Sequence, residues 1–262
     1  MAGSIPPEIG NIHNLMTLSL HNNSLTDLIP STIFNIPNLK ELYLWSNELN
    51  GIIPDSISIA SEVTILELSL NSSSGPIPTT LGNLRNLQRL NLASNQFTRE
   101  SPIQELTFLS SLTNCKLLTR LVLSNNPLNS TLPISIGNLF ALKSFLVDNR
   151  RIKGSIPYEV GSLSNLTTIS LKNNDLTGPI PTAVGKMRML QVLYLDGNRL
   201  QGSIPNEVCH LRNLGELYLV VTSSFDLYLH AWVILFHCEF YTLIPTISLR
   251  EYLHPYGTSK IF

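Results

Sequence analysis

Charge is scarce in this chain. Lys, Arg, Asp and Glu together make up 13% of its 262 residues, about half the ~25% of an average globular domain. The net charge is −1 and no basic run occurs, which excludes an electrostatic binder of DNA or RNA. Cysteine is equally sparse. Cys115, Cys209 and Cys238 are far apart and odd in number, so a disulfide framework is not expected. Cys209-His210, and His237-Cys238 with His230 and His254, lack the spacing of zinc ligands. No Ser/His/Asp set can be assembled from spacing alone. No catalytic residue, metal site or cofactor is therefore expected. Residues 1–14 hold neither a basic n-region nor a long apolar h-region, so no secretory signal peptide is expected within this chain.

What the chain does have is leucine at a fixed beat. L-x-x-L-x-L or a close variant begins at Leu15, Leu39, Val63, Leu87, Leu118, Leu142, Leu166, Leu190 and Leu214. Seven of the eight intervals are 24 residues, and the exception, Leu87 to Leu118, is 31. Such a period is the signature of a leucine-rich repeat, one strand per repeat stacked into a horseshoe. The expected fold is an α/β solenoid, with a parallel sheet on the concave face and 3-10 or short helices on the convex face. Residues 1–14 read as a partial first repeat, 15–219 as the array, and 220–262 as a non-repeating apolar tail. A solenoid offers a long concave surface rather than a catalytic cleft, and that points to binding.

Within a repeat, counted from the first leucine, apolar residues at positions 1, 4 and 6 alternate as a half-buried strand does. Positions 11 and 15 continue the core, as in Leu176 and Ile180. Each such residue is worth roughly 1.5–3 kcal/mol if a neighbouring coil covers it. Position 9 is Asn23, Asn47, Asn71, Asn95, Asn126, Asn174 and Asn198. Asparagine carries donor and acceptor on one short side chain, so a column of them can satisfy inward-facing backbone groups. Arg150 breaks the column and is expected to point outward. Position 13 is often Gly, and positions 15–16 read Ile-Pro or Leu-Pro, suiting the start of a 3-10 stretch. In the long interval, Ser101-Pro102-Ile103-Gln104 reads as a capping box, so a helix is expected over Pro102 to Thr113.

Positions 3, 5, 7 and 8 should face the concave surface. The candidates there are His21, Tyr43, Trp45, Glu67, Arg89, Arg120, Asp148, Lys172, Tyr194 and Asp196. Aromatic and Arg side chains are the usual interface anchors. Adjacent strands lie about 4.8 Å apart, so Tyr43 and Trp45 should share a patch with His21 and Glu67. Asp148, Lys172 and Asp196 fall in one column and are expected to pair as a solvated salt-bridge ladder. Sequons at Asn22, Asn129 and Asn165 make these candidate glycosylation sites if the protein enters the secretory pathway. The sequon at Asn71 should be unavailable, because that side chain belongs to the inner column.

The full pattern, L-x-x-L-x-L-x-x-N-x-L-x-G-x-I-P-x-x-I/L-G-x-L, resembles the plant-specific leucine-rich repeat. The stretches Phe108–Lys116, Asn125–Asn129 and Ser135–Leu139 are similar to ectodomains of plant receptor kinases. The group resembled includes receptors for bacterial elicitors. The resemblance implies a peptide or protein ligand, a co-receptor, and a place on the extracellular side of the plasma membrane. It also implies a membrane span and a Ser/Thr kinase elsewhere in the full protein. This chain departs from the family: it opens inside a repeat at Gly3-Ser4-Ile5-Pro6, without a cysteine-paired cap, and holds no kinase motif. A kinase-less receptor-like or inhibitor protein, a fragment of a receptor kinase and a non-functional gene fragment all stay open. After Leu219 the pattern stops, as a translated intron or a frame change would make it. Leu227–Ile244 is long enough to span a membrane, but His230, His237 and Glu239 argue against it.

Overall fold

The computed structural model describes residues 1–99, 105–149 and 151–219. The expectations for Ser101–Gln104, Arg150 and the tail 220–262, including Leu227–Ile244, lie outside the described residues. Nine parallel strands form one sheet in strict chain order: Thr17–Ser19, Glu41–Tyr43, Ile65–Glu67, Arg89–Asn91, Arg120–Val122, Ser144–Leu146, Thr168–Ser170, Val192–Tyr194 and Glu216–Tyr218. Each residue pairs with the one a full repeat later, as Leu42 with Leu66, and the 31-residue interval is absorbed with Leu90 opposite Leu121. The central residue of each strand points inward: Leu42, Leu66, Leu90, Leu121, Phe145, Ile169 and Leu193 are all buried. One apolar core runs the length of the array.

Prolines set the convex side. Pro30, Pro54, Pro78, Pro133, Pro157, Pro181 and Pro205 each precede a 3-10 helix, with φ between −61° and −75°. Proline holds that φ and has no N–H to leave unpaired at a helix start. The 24-residue unit returns on itself within this length, so the back of each coil is a single short turn rather than an α-helix. The long interval is the exception, as expected, but its helix is shorter than the sequence suggests. It spans Thr107–Leu112, with Leu106 at the N-cap and no side-chain cap. Glu105 bridges in parallel to Thr131. That extended pairing ties Glu105 to the next coil and prevents a helix from running through it. Leu109 and Leu112 are fully buried.

The asparagine column is built as the spacing implies. Asn47 accepts from the Leu25 N–H and donates to the Leu20 and Leu44 carbonyls, all at 3.0 Å. Asn71, Asn95, Asn126, Asn174 and Asn198 repeat the arrangement. Asn71 is half-buried rather than buried, but both ends of its amide are engaged. The Leu128 N–H donates to the Asn126 main-chain carbonyl at 2.8 Å. A second edge of short strands was not foreseen. Asn50–Gly51, Ser72–Pro76 and Gln96–Thr98 form one such sheet, and Lys153–Gly154, Asp175–Gly178 and Arg199–Leu200 another. The position-13 glycines stand here with positive φ, 72° at Gly51 and 74° at Gly178, a region that costs other residues energy.

Candidate functional site

The concave sheet brings the candidates onto one surface but connects them differently from expectation. His21 and Trp45, on consecutive coils, stack with ring centroids 4.4 Å apart and planes 11° apart. The Ser19 hydroxyl lies 2.8 Å from His21 Nδ1 and steadies that ring. Tyr43 donates to Glu41 at 3.4 Å, and Thr17 donates to the same carboxylate oxygen at 3.3 Å. Burial, then Glu41, pushes the Tyr43 phenol above its ordinary value. Two coils therefore present a platform of three rings at one end of the array. At the other end, the Tyr194 hydroxyl donates to Glu216, and the rings of Tyr194 and Tyr218 meet edge to face at 4.8 Å. That hydrogen bond, with burial second, pushes the Tyr194 phenol up to about 12.

The column Asp148, Lys172 and Asp196 is not a salt-bridge ladder. Among the described residues these three make no ion pair; the short ion pair there is exposed Arg199 with half-buried Asp175, at 2.9 Å. Asp148 instead accepts from the hydroxyls of Ser124 and Ser170. Lys172 Nζ lies 5.9 Å from the Tyr194 ring centroid. Short hydroxyls flanking the aspartate reach it without ordering a long lysine chain, so they win the carboxylate. Asp196 is raised above the usual aspartate value, by burial first.

Between the two aromatic ends lie Glu67, Arg89 and Arg120. Arg89 and Arg120 are exposed and directly opposite each other in register. Neither makes an ion pair among the described residues. Glu67 is half-buried, and burial raises its pKa from its ordinary value of 4.5, against the opposing pull of Asn91 and the two arginines. A raised carboxylate favours its acid form in the folded chain. The stabilisation is present below the ordinary value and disappears as pH rises through the folded one. Glu67→Gln is therefore expected to raise the thermal midpoint near neutral pH and to leave it unchanged well below pH ~4. Melting both proteins across that range by circular dichroism checks this; an equal shift at both ends contradicts it.

Sequence reasoning missed a second column. Position 8, immediately before each ladder asparagine, has positive φ in every complete repeat: Asn22, Ser46, Leu70, Ser94, Asn125, Asn149 and Asn173, then Gly197 at 67°. On the concave rim these side chains form a chain of donors and acceptors. Asn173 donates to Asn149 at 2.8 Å, Asn149 to Asn125 at 3.1 Å, and Asn125 to the Ser94 hydroxyl at 3.2 Å. The signal was present, since Asn, Ser and Gly are the residues that accept a left-handed backbone or bond to it locally. Leu70 departs from it.

The candidate glycosylation sites differ in access. Asn22 is exposed. Asn165 is exposed, but its Nδ2 donates to the Phe140 carbonyl at 2.8 Å. Asn129 is half-buried, with Oδ1 shielded and without a hydrogen-bond partner among the described residues. Among those residues, no cluster of three or more His, Cys, Asp and Glu side chains is placed to hold a metal. No helix there is long and apolar enough to cross a membrane.

Parallel strands on one face, 3-10 turns on the other and an inner asparagine column define a leucine-rich-repeat solenoid. Residues 13–72, 37–97 and 164–222 match the family model described as "Leucine rich repeat", and 86–109 and 117–139 match a second of the same description. The chain belongs to the leucine-rich repeat family. Among solved structures it is similar to the ectodomain of the plant membrane receptor kinase GASSHO1/SCHENGEN3 from Arabidopsis thaliana, in complex with CASPARIAN STRIP INTEGRITY FACTOR 2. Identity there is 38%, with a TM-score of 0.79, covering 84% of this chain and 26% of that one. It is also similar to the plant peptide hormone receptor RGFR1 in complex with RGF2, at 33% identity and a TM-score of 0.71, covering 84% and 38%. The Arabidopsis receptor kinase HAESA ectodomain, in complex with an IDA peptide hormone, follows at 30% and 0.65, covering 84% and 40%. The chain thus spans between about a quarter and two-fifths of these ectodomains. No curated protein matches it.

Proposed function

We propose that the chain is a ligand-binding portion of a plant cell-surface receptor kinase, capturing a peptide or protein ligand on its concave face outside the cell. Capture leads to association with a co-receptor, in signalling or defence. The observation that carries this reading is a division of labour among side chains. The inner asparagines and leucines hold the coils together, while His21, Tyr43, Trp45, Arg89, Arg120, Tyr194 and Tyr218 stand on the outer face of the sheet with no part in the core. Aromatic and Arg groups so placed are the residues that dominate binding energy when a partner covers them. The similarity to three ectodomains solved in complex with their ligands supports a peptide or protein ligand. Glycans at Asn22, Asn129 or Asn165, and a membrane span and kinase in the remainder of the protein, belong to this reading.

Selection of a displayed library of random 12-residue peptides on the intact chain tests it. Enriched peptides are expected to lose about tenfold or more in affinity for Trp45→Ala, since ~1.4 kcal/mol is a factor of ten. They should bind the convex variant Lys186→Ala unchanged. Peptides that ignore Trp45→Ala and Tyr194→Ala but respond to Lys186→Ala place binding on the wrong face and end the proposal.

A further inference from the structure

The back of the array is unevenly charged. The 3-10 turns Ser31–Asn35, Thr79–Asn83 and Ile134–Asn138 hold no charged residue. Two later turns, Thr182–Lys186 and Asn206–His210, end on Lys186 and His210 at the same place in the repeat. An arginine follows two residues on in both, Arg188 and Arg212. The Arg188 N–H donates to the Lys186 carbonyl at 2.9 Å, and the Arg212 N–H to the His210 carbonyl at 3.0 Å. Both coils therefore present their basic pair through the same backbone turn. Asn213 Nδ2 donates to the Arg188 carbonyl at 2.7 Å and ties the two coils together. A cavity of about 400 Å³ lies across them, with Tyr158, Thr182, Lys186, Arg188, Glu207 and His210 in its wall. Arg188 and His210 also line an adjoining cavity of about 540 Å³, together with Arg212.

Among the described residues Lys186, Arg188 and Arg212 make no ion pair. Lys186 reaches back across one coil and rests on a neutral group, with Nζ 3.3 Å from the Tyr158 hydroxyl and 5.0 Å from the centre of its ring. Glu207 is the acid of the wall. It is half-buried, and a Cβ at Gly185 would stand 2.6 Å from its own Cβ, so glycine there lets the stem of Glu207 lie against the preceding coil. Three cations and an imidazole thus gather around one acid in a chain whose net charge is −1. Like charges held close repel, and a bound anion relieves that repulsion. We propose that this convex cavity binds a phosphate or sulfate monoester, with the oxyanion held by Lys186, Arg188 and His210. The donors select the class. Arg188 brings a planar fork, Lys186 a point charge, and Tyr158 and Thr182 bring hydroxyls, each from a different side. One fork already satisfies a planar carboxylate, whereas a tetrahedral oxyanion accepts from several directions. The volume lies within the range of small-molecule sites, roughly 300–1,000 Å³, so the oxyanion is the head of a larger organic molecule. The site stands on the opposite side of the coils from the sheet and is independent of capture there.

Calorimetric titration of the intact chain with phenyl phosphate, phenyl sulfate and benzoate, at one fixed ionic strength, tests this. At least one of the two esters should bind saturably to a single site, and the tighter of them identifies the oxyanion. Benzoate, the carboxylate on the same ring, should bind about tenfold or more weakly. Arg188→Gln and Lys186→Gln should each weaken the ester about tenfold or more, because each removes a charge-assisted hydrogen bond. Glu207→Gln should tighten it about threefold or more, because a like charge leaves the wall; a purely structural role for these residues gives no such gain. Arg85→Gln, which removes a convex arginine several coils away, should leave the affinity unchanged, as should Trp45→Ala on the sheet. Absence of saturable binding by either ester overturns the proposal. So does benzoate binding as tightly as the esters, or an ester affinity that Arg188→Gln leaves intact or that falls equally in Arg85→Gln. Weaker binding by Glu207→Gln overturns the charge argument and the site with it.

Discussion

Replacing Asn126 by alanine is expected to remove about 3–5 kcal/mol of stability and to split the unfolding transition in two. Asn126 is fully buried at the middle of the column. Its Oδ1 accepts from the Phe97 N–H at 3.1 Å, and its Nδ2 donates to the carbonyls of Leu92 at 2.8 Å and Leu123 at 2.9 Å. Alanine leaves all three backbone groups inside the core without a partner or room for several waters. Each unsatisfied buried group costs about 1–3 kcal/mol. A solenoid holds together only through nearest neighbours, so a failed central interface lets the two halves melt apart. Asn23→Ala is the control. Asn23 is half-buried, and its Oδ1 accepts from the terminal amino group of Met1, so the expected loss is about 1 kcal/mol. Urea titration followed by circular dichroism measures both. Equal losses would show that the column does not bear stability in proportion to its burial.

Gly161→Ala separates two opposite expectations. Considered locally, a glycine replaced by alanine in a helical turn gains about 0.5–1 kcal/mol through the unfolded chain. The structure reverses the sign. A Cβ at Gly161 stands 2.6 Å from Ala183 Cβ, 2.8 Å from the Ala183 carbonyl carbon and closer still to its oxygen. These are backbone atoms and a short side chain of the next coil, and none can swing away. The two 3-10 turns, Tyr158–Ser162 and Thr182–Lys186, must move apart. Overpacking of this kind costs about 1–3 kcal/mol, and the loss should come near the top of that range. Gly178→Ala is the comparison. Its added Cβ meets nothing nearer than Ser155 Cβ at 3.6 Å, leaving only the positive φ of 74°, worth about 1 kcal/mol. A thermal melt in which Gly161→Ala matches or exceeds the parent protein refutes the close approach. The same slot elsewhere holds Phe34, Ser58 and Cys209, so the restriction belongs to particular coil pairs and not to the repeat as such.

Much of this architecture is legible in the chain because it is written once per coil. A leucine at position 4 can be buried only if the coils on both sides bury theirs, so period and register are one constraint. The inner asparagines, the proline-led 3-10 turns and the direction of Tyr43 and Trp45 all follow from it. The misread helix start shows the limit. A helix read through Glu105 and Leu106 instead begins at Thr107, because Glu105 pairs with Thr131 of the following coil. The concave charges show the same limit. A column containing Asp148, Lys172 and Asp196 invites pairing, yet Ser124 and Ser170 from flanking coils take the first aspartate.

The sequence by itself determined the number of coils, which side chains line the interior and which residues share the inner wall. Those features depend on apolar burial, which is non-directional and recurs identically each turn. Only the tertiary structure decided what the exposed groups do to one another: that His21 lies flat on Trp45, that amides link Ser94 to Asn173 along the rim, and that two arginines face each other without an ion pair among the described residues. Hydrogen bonds and ring contacts are directional and short. Their outcome depends on side chains converging from neighbouring coils, and no repeat unit contains that information.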